Sequence, residues 1–174
     1  MSVKIPLPDE DSLSTEIKDA LASLPPLNVF RMVANAPASF KGFLELAMSI
    51  LMRSEFNARL REYAVLRVAH ANKCDYVWTQ HLTVAKRTGI TDSEISVIAD
   101  EETVSSLDDE GNLLCRAADE ISADVSLSDD VLALLIEQYG NRQATELILC
   151  ISYFNMLCRF VESTRVELEE ENVL

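Results

Sequence analysis

The sequence predicts an all-α fold, a compact multi-helix bundle in one domain. Only 4 Gly and 5 Pro occur in 174 residues, too few turn formers for a strand-rich protein. The make-up is that of an ordinary globular domain, 48% apolar and 25% charged, and the length suffices to bury a core. Apolar residues also recur at i, i+3 and i+4, the spacing of one face of an amphipathic helix.

The chain opens with an arm, residues 1–26, carrying P-L-P, an acidic patch and S-L-P-P-L. Within it Ser14 can cap a short helix reaching Ala22, which Pro25-Pro26 stops. The arm is expected to lie on the body or on a neighbouring subunit. Residues 27–174 form the helical domain. Its first helix covers about 27–34 and is broken by Asn35-Ala36-Pro37; a second, about 39–52, aligns Phe40, Phe43, Leu44, Ala47, Ile50 and Leu51. Helices over about 57–71 and 75–88 follow, the latter ended by Gly89. Thr91-Asp92-Ser93-Glu94 is a capping box opening a short helix that holds Ile95 and Ile98. An acidic link, 100–110, leads to a helix marked by Leu113, Leu114, Ala117, Ala118 and Ile121. Residues 126–130 open another, with acids at its positive end and Gly140 at its close. The last helix, about 143–169, is apolar on most sides over 147–161. One small domain can hardly surround such a helix, so an oligomer interface is expected there.

Lys and Arg number 15 against 29 Asp and Glu, a net charge of −14. A surface this acidic repels phosphate backbones, which disfavours nucleic acid as a partner, and on exposed helices it serves solubility. No 18-residue apolar run stands out, and M-S-V-K-I-P-L-P-D-E lacks the apolar core of a signal peptide. No membrane span is expected, and the expected compartment is the cytoplasm. The four cysteines form no C-x-x-C pair and are too scattered for a disulfide framework. In a reducing compartment Cys115, Cys150 and Cys158 read as buried small hydrophobes. With two histidines and no cluster at ligand spacing, neither a metal nor a cofactor is expected.

The chemistry concentrates in residues 61–81, R-E-Y-A-V-L-R-V-A-H-A-N-K-C-D-Y-V-W-T-Q-H, with both histidines and the only tryptophan. Glu62 lies two turns before the end of its helix. Asn72-Lys73 can turn the chain, which puts Cys74 at the start of the next helix and His81 two turns along the same face. Folding one helix over the other brings Glu62 towards Cys74 and His81. A thiolate at a helix N-terminus is favoured by the dipole and by a nearby cation, here Lys73. Histidine shuttles protons near neutral pH, and a buried glutamate can orient it or accept from it. The plain alternative is core packing, with Glu62 paired to Arg53, Arg61 or Arg67. His70 lines the same cavity or closes its helix with a satisfied ring, while Tyr76 and Trp78 straddle Val77 and wall a pocket or an interface. Arg159 is expected to meet a carboxylate or a subunit boundary.

R-E-x-x-x-L-R-V-A, then C-x-Y-x-W-x-x-H, a G-I-T-D-S-E-I turn and a late Y-F-N-M helix resemble the carboxymuconolactone decarboxylase-like family, which includes the alkylhydroperoxidase D group. The resemblance spans about residues 27–166 and is most specific over 61–95. It implies an alkylhydroperoxidase D-like bundle assembled as a trimer or hexamer. In the alkylhydroperoxidase members a Glu twelve residues before the first Cys of a C-x-x-C pair, and a His seven after it, form a proton relay around a redox dithiol. Glu62, Cys74 and His81 match those positions, and Val77 stands where the second cysteine would be. The decarboxylase members use acid–base groups, and many carry an acidic residue at the place Val77 occupies.

Three functions are compatible with these residues. The first is a thiol-dependent peroxidase, an antioxidant oxidoreductase: Cys74 attacks a hydroperoxide, Glu62 and His81 move protons, and an external thiol or another cysteine resolves the sulfenic acid. The second is a cofactor-free decarboxylase, hydrolase or isomerase acting on a small organic acid or lactone, with His81 as acid–base and Glu62 or Arg67 orienting the substrate. The third is an oligomeric binding protein that keeps the fold without the catalysis. In the two enzymatic readings Arg67, His70, Tyr76 and Trp78 are the candidate substrate-binding residues.

Overall fold

Local signals start and stop most of the helices. The computed structural model describes residues 3–170, so the first two residues of the arm and the last four of the domain lie outside the described residues. α1 (Thr15–Ala22) begins where the Ile17 N–H donates to the Ser14 hydroxyl. α2 (Asn28–Val33) is followed by α3 (Pro37–Met48), with Pro37 in its first turn, and α3 runs into a π-helical stretch, Ser49–Arg53. α4 (Ala58–Ala71) is capped by Asn57, whose side chain accepts from the N–H groups of Arg59 and Leu60. α5 (Asp75–Arg87) closes on Gly89, φ 93, with Ile90 N–H bonded back to the Ala85 carbonyl. α6 (Asp92–Asp100), α7 (Asp109–Asp124) and α8 (Asp129–Thr164) complete an all-α chain, with no strand among the described residues.

The core is built around α4, on which every residue over 61–69 is buried. α5, α6, α7 and α8 all pack against it. The arm lies on the body of its own chain: Ile17 joins Val33, Ala34 and Phe40 in a small apolar cluster, and the Asn35 amide donates to the Pro6 carbonyl.

α8 departs from expectation in two ways. Its second half buries one face within the single chain against α4, α5 and α7, where Leu147, Ile151, Phe154, Cys158 and Val161 lie, while Leu149 and Met156 on the opposite face stay exposed. The helix is long and apolar enough to cross a membrane by length and composition, contrary to the sequence reading, yet more than half of that window is buried inside the fold, as befits a core helix. The break at Gly140 is present, with φ 72 and ψ 167. The C-terminal end comes at Thr164 rather than near 169, because Arg165 turns left-handed (φ 58) and Val166 N–H caps the Val161 carbonyl. The tail then folds back, and Glu167 reaches Lys4 at 2.7 Å.

Two features generate tests of stability. Glu94 closes the capping box with Thr91 and also accepts from the Tyr63 hydroxyl and Arg59, each at 2.6 Å, tying α6 to α4. Burial disfavours its charge, but the bonds from Thr91 and Tyr63 and the Arg59 charge outweigh this and hold the carboxyl at about 2, against an ordinary 4.5. A depressed carboxyl stabilises fully above about pH 5, and that contribution is lost as pH falls towards 2. Glu94→Gln is therefore expected to cost about 1–3 kcal/mol at pH 7, with the gap to wild type closing by pH 2 in denaturant titrations. Val125, at the end of α7, is β-branched yet left-handed (φ 65) and 85% exposed. Val125→Gly should gain about 1 kcal/mol, read as a rise of roughly 2–4 °C in Tm.

Candidate active site

The α4–α5 turn fixes the thiol. Lys73 N–H donates to the His70 carbonyl and Cys74 N–H to the Ala69 carbonyl, both at 2.9 Å, with Lys73 left-handed at φ 53. This double closure ends α4 and makes Cys74 the N-cap of α5. The Cys74 side chain makes no capping bond; it turns inward, 1% exposed, with the Cys158 thiol of α8 as its neighbour. That contact, and then burial, push the Cys158 thiol well above the ordinary cysteine range.

Glu62 is fully buried on α4, and His81 arrives from α5 with Nδ1 2.7 Å from Glu62 Oε2. This bond fixes the imidazole plane and leaves the opposite ring nitrogen to exchange a proton. The other carboxylate oxygen, Oε1, has no hydrogen-bond partner among the described residues; it lies 3.5 Å from Arg61 Nε, which is likewise buried and without one. The Phe154 ring stands edge-on to His81, centroids 4.8 Å apart at 88°.

One face of α8 covers both arrangements. Cys150, Phe154 and Cys158 stand at i, i+4 and i+8, so they share a stripe. Cys150 feels the charges of Arg61 and Glu62, Phe154 packs on His81, and Cys158 meets Cys74. The groups thus fall into two pairs, Glu62 hydrogen-bonded to His81 and Cys74 beside Cys158, and no hydrogen bond joins one pair to the other among the described residues. Seven residues of helix, about 10 Å of rise, separate Cys74 from His81, with buried Val77 on the turn after Cys74. The fold therefore delivers the Glu62–His81 contact expected from the sequence and gives Cys74 a different neighbour.

The flanking candidates are placed elsewhere. Arg67 is buried and committed: Nε meets Asp119 at 2.6 Å, Nη1 donates to the carbonyls of Ile98 and Glu101, and Nη2 to that of Glu102. Tyr76 accepts from Val29 N–H and donates to Glu169 at 2.7 Å, and Gln80 donates to the same carboxylate, so this face of α5 meets α2 and the tail. His70 is exposed at the end of α4, its ring 6.1 Å from that of half-buried Trp78. Among the described residues Arg159 meets no carboxylate; it donates to the Asn155 side chain at 2.7 Å, in a network with Asn72 and Ser122.

Two residues escaped the sequence reading. Cys158 reads as a buried small hydrophobe and is not told apart from Cys115 and Cys150 as a possible second thiol, and Arg61 reads as one of three possible ion partners. The i, i+4, i+8 spacing of Cys150, Phe154 and Cys158 could have shown that they share a face, but not which helix that face meets.

Residues 37–120 match the model of the carboxymuconolactone decarboxylase family. Glu62, Cys74 and His81 fall inside that segment, and Cys158 falls outside it. No functionally curated protein matches the chain. Among solved structures, the chain is similar to an uncharacterized peroxidase-related protein from Ralstonia eutropha JMP134, an alkylhydroperoxidase AhpD core, at 16% identity and TM-score 0.84, covering 98% of this chain and 94% of that one. It is similar also to an uncharacterized peroxidase-related protein from Silicibacter sp. TM1040, at 19% identity and TM-score 0.82 with 97% and 93% covered. A third likeness is to a protein of unknown function from Agrobacterium tumefaciens with a suggested AhpD antioxidant-defence role, at 19% identity and TM-score 0.68 with 80% and 96% covered. At these identities the likeness is one of fold. Residues 37–120 thus resemble the carboxymuconolactone decarboxylase family, and the chain as a whole has the fold of the AhpD-like structures.

The Arg67 geometry predicts a scaffold role. Arg67→Met should cost about 3–5 kcal/mol, because three carbonyls and Asp119 lose a buried partner. The check is a Tm roughly 6–20 °C below wild type, with loosened hydrogen-exchange protection where α6 leads into α7.

Proposed function

We propose that the protein is a thiol-dependent peroxidase, an antioxidant enzyme that reduces hydroperoxides at Cys74 with Glu62 and His81 as the proton relay. One observation carries this: the buried Glu62–His81 hydrogen bond lies under the same face of α8 that holds the Cys74 thiol. The Cys74 thiolate attacks the peroxide, a sulfur–oxygen bond forms as the oxygen–oxygen bond breaks, and the departing alkoxide takes a proton. The relay supplies that proton through the substrate or through water, since about 10 Å of helix rise separates Cys74 from His81. A homo-oligomer, trimer or hexamer, belongs to the same proposal; exposed Met48, Met52, Leu149 and Met156 around α3 and α8 supply apolar surface for it. The compartment is read as the cytoplasm, where the thiols are kept reduced.

With a hydroperoxide and an excess of a dithiol reductant, the purified protein should consume peroxide catalytically. Cys74→Ser should abolish this, and His81→Ala or Glu62→Gln should slow it by roughly 10²–10⁴-fold while far-UV circular dichroism stays native. Peroxide consumption by Cys74→Ser at the wild-type rate would overturn the proposal.

A second reading has an observation of its own. Arg61 Nε and Glu62 Oε1 are buried without hydrogen-bond partners, a donor and an acceptor that a small organic acid or lactone could satisfy. In that reading His81 is the acid–base group and Arg61 takes the orienting role earlier given to Arg67. It predicts thiol-independent decarboxylation or lactone hydrolysis, lost on His81→Ala and raised in KM by Arg61→Met.

A further inference from the structure

We propose that Cys158 is the resolving thiol of Cys74, the two closing a disulfide between the start of α5 and the inner face of α8. The inference rests on the reading of Cys74 as the peroxide-reactive thiol. It replaces the local second cysteine, whose position three residues on is occupied by Val77, with one drawn from a distant helix.

Proximity carries the assignment. The Cys158 side chain is already in contact with that of Cys74, whereas the other two cysteines have different surroundings: Cys115 lies 4.0 Å from the Tyr63 carbonyl, and Cys150 sits by Arg61 and Glu62. Access points the same way. Cys74 and Cys158 are 1% and 0% exposed, so a thiol already beside Cys74 meets a sulfenic acid formed there before one that must enter from solvent. The movement required falls on a short turn whose flanking residues, Lys73 and Asp75, are exposed.

The chemistry balances. Cys74 sulfur takes one oxygen from the hydroperoxide and gains a proton as sulfenic acid, and the peroxide leaves as alcohol. Cys158 sulfur then attacks Cys74 sulfur; the sulfur–sulfur bond forms, the sulfur–oxygen bond breaks, and the departing hydroxide takes the Cys158 proton to leave as water. The sum is two thiols and one hydroperoxide giving one disulfide, one alcohol and one water. An external dithiol restores the pair and is itself oxidised to a disulfide.

The test uses the full chain. Reduced protein is treated with one equivalent of cumene hydroperoxide, denatured with an alkylating agent, and mapped by mass spectrometry. Free thiols should fall from the four of the reduced chain to two, within a monomer, with Cys74 and Cys158 peptides linked. Cys158→Ala should still react once but hold Cys74 as a sulfenic acid that a dimedone probe captures, with steady turnover down by at least about tenfold. A sulfenic acid at Cys74 with no link to Cys158 in the wild type, or full turnover in Cys158→Ala, overturns this inference and leaves the peroxidase reading standing. No oxidation of Cys74 in either protein overturns both. Should Cys158→Ala fail to fold, the wild-type map decides alone.

Discussion

Glu62 is held out of water on a helix buried over 61–69, and only one of its two carboxylate oxygens meets a hydrogen-bond donor. Removing a carboxylate from water costs several kcal/mol unless partners make up the difference. His81 is that partner, and the close approach of α5 to α4 follows from it. Arg61 adds a neighbouring cation without completing the hydrogen bonding. The incomplete satisfaction is informative: a purely structural charge pair would be expected to close on itself, as Arg67 does with Asp119 and three carbonyls. Within one helix, one arginine is spent on the scaffold and one buried carboxylate keeps a free oxygen.

α8 turns this into a candidate site. Its stripe of Cys150, Phe154 and Cys158 walls off the Glu62–His81 pair and presents a second sulfur to Cys74. A dry enclosure strengthens the electrostatics of whatever reacts there and keeps out bulky reductants. The open cleft between α1 and α3, about 440 Å³ and lined by Ile17, Phe40 and Leu44, lies apart from these residues. Glu62, His81 and the two thiols sit instead in the packed interior.

Backbone strain is confined to helix ends. Lys73, Val125 and Arg165 all take left-handed conformations that glycine adopts more cheaply, and each stands at a C-terminal boundary. At Lys73 the strain has a structural return. The tight closure of α4 is what places Cys74 at the N-cap of α5 with its side chain aimed inward.

The helices, their caps and their order were legible in the residues themselves, because capping boxes, proline and glycine stops and i, i+3, i+4 stripes are local signals. Ser14, Thr91, Gly89 and Gly140 act as their sequence context implies. Glu62, Cys74 and His81 could be singled out for the same reason, since their spacing along two consecutive helices is a property of the chain. What the chain alone left open was what lies across from each side chain. Whether α8 is exposed or enclosed, whether Arg61 or Arg67 stands beside Glu62, and which cysteine meets Cys74 depend on how distant helices pack, and periodicity gives a helix a buried face without naming its neighbour. Only the tertiary structure decided that Cys158 covers Cys74, because that contact depends on how α8 docks against α4 and α5.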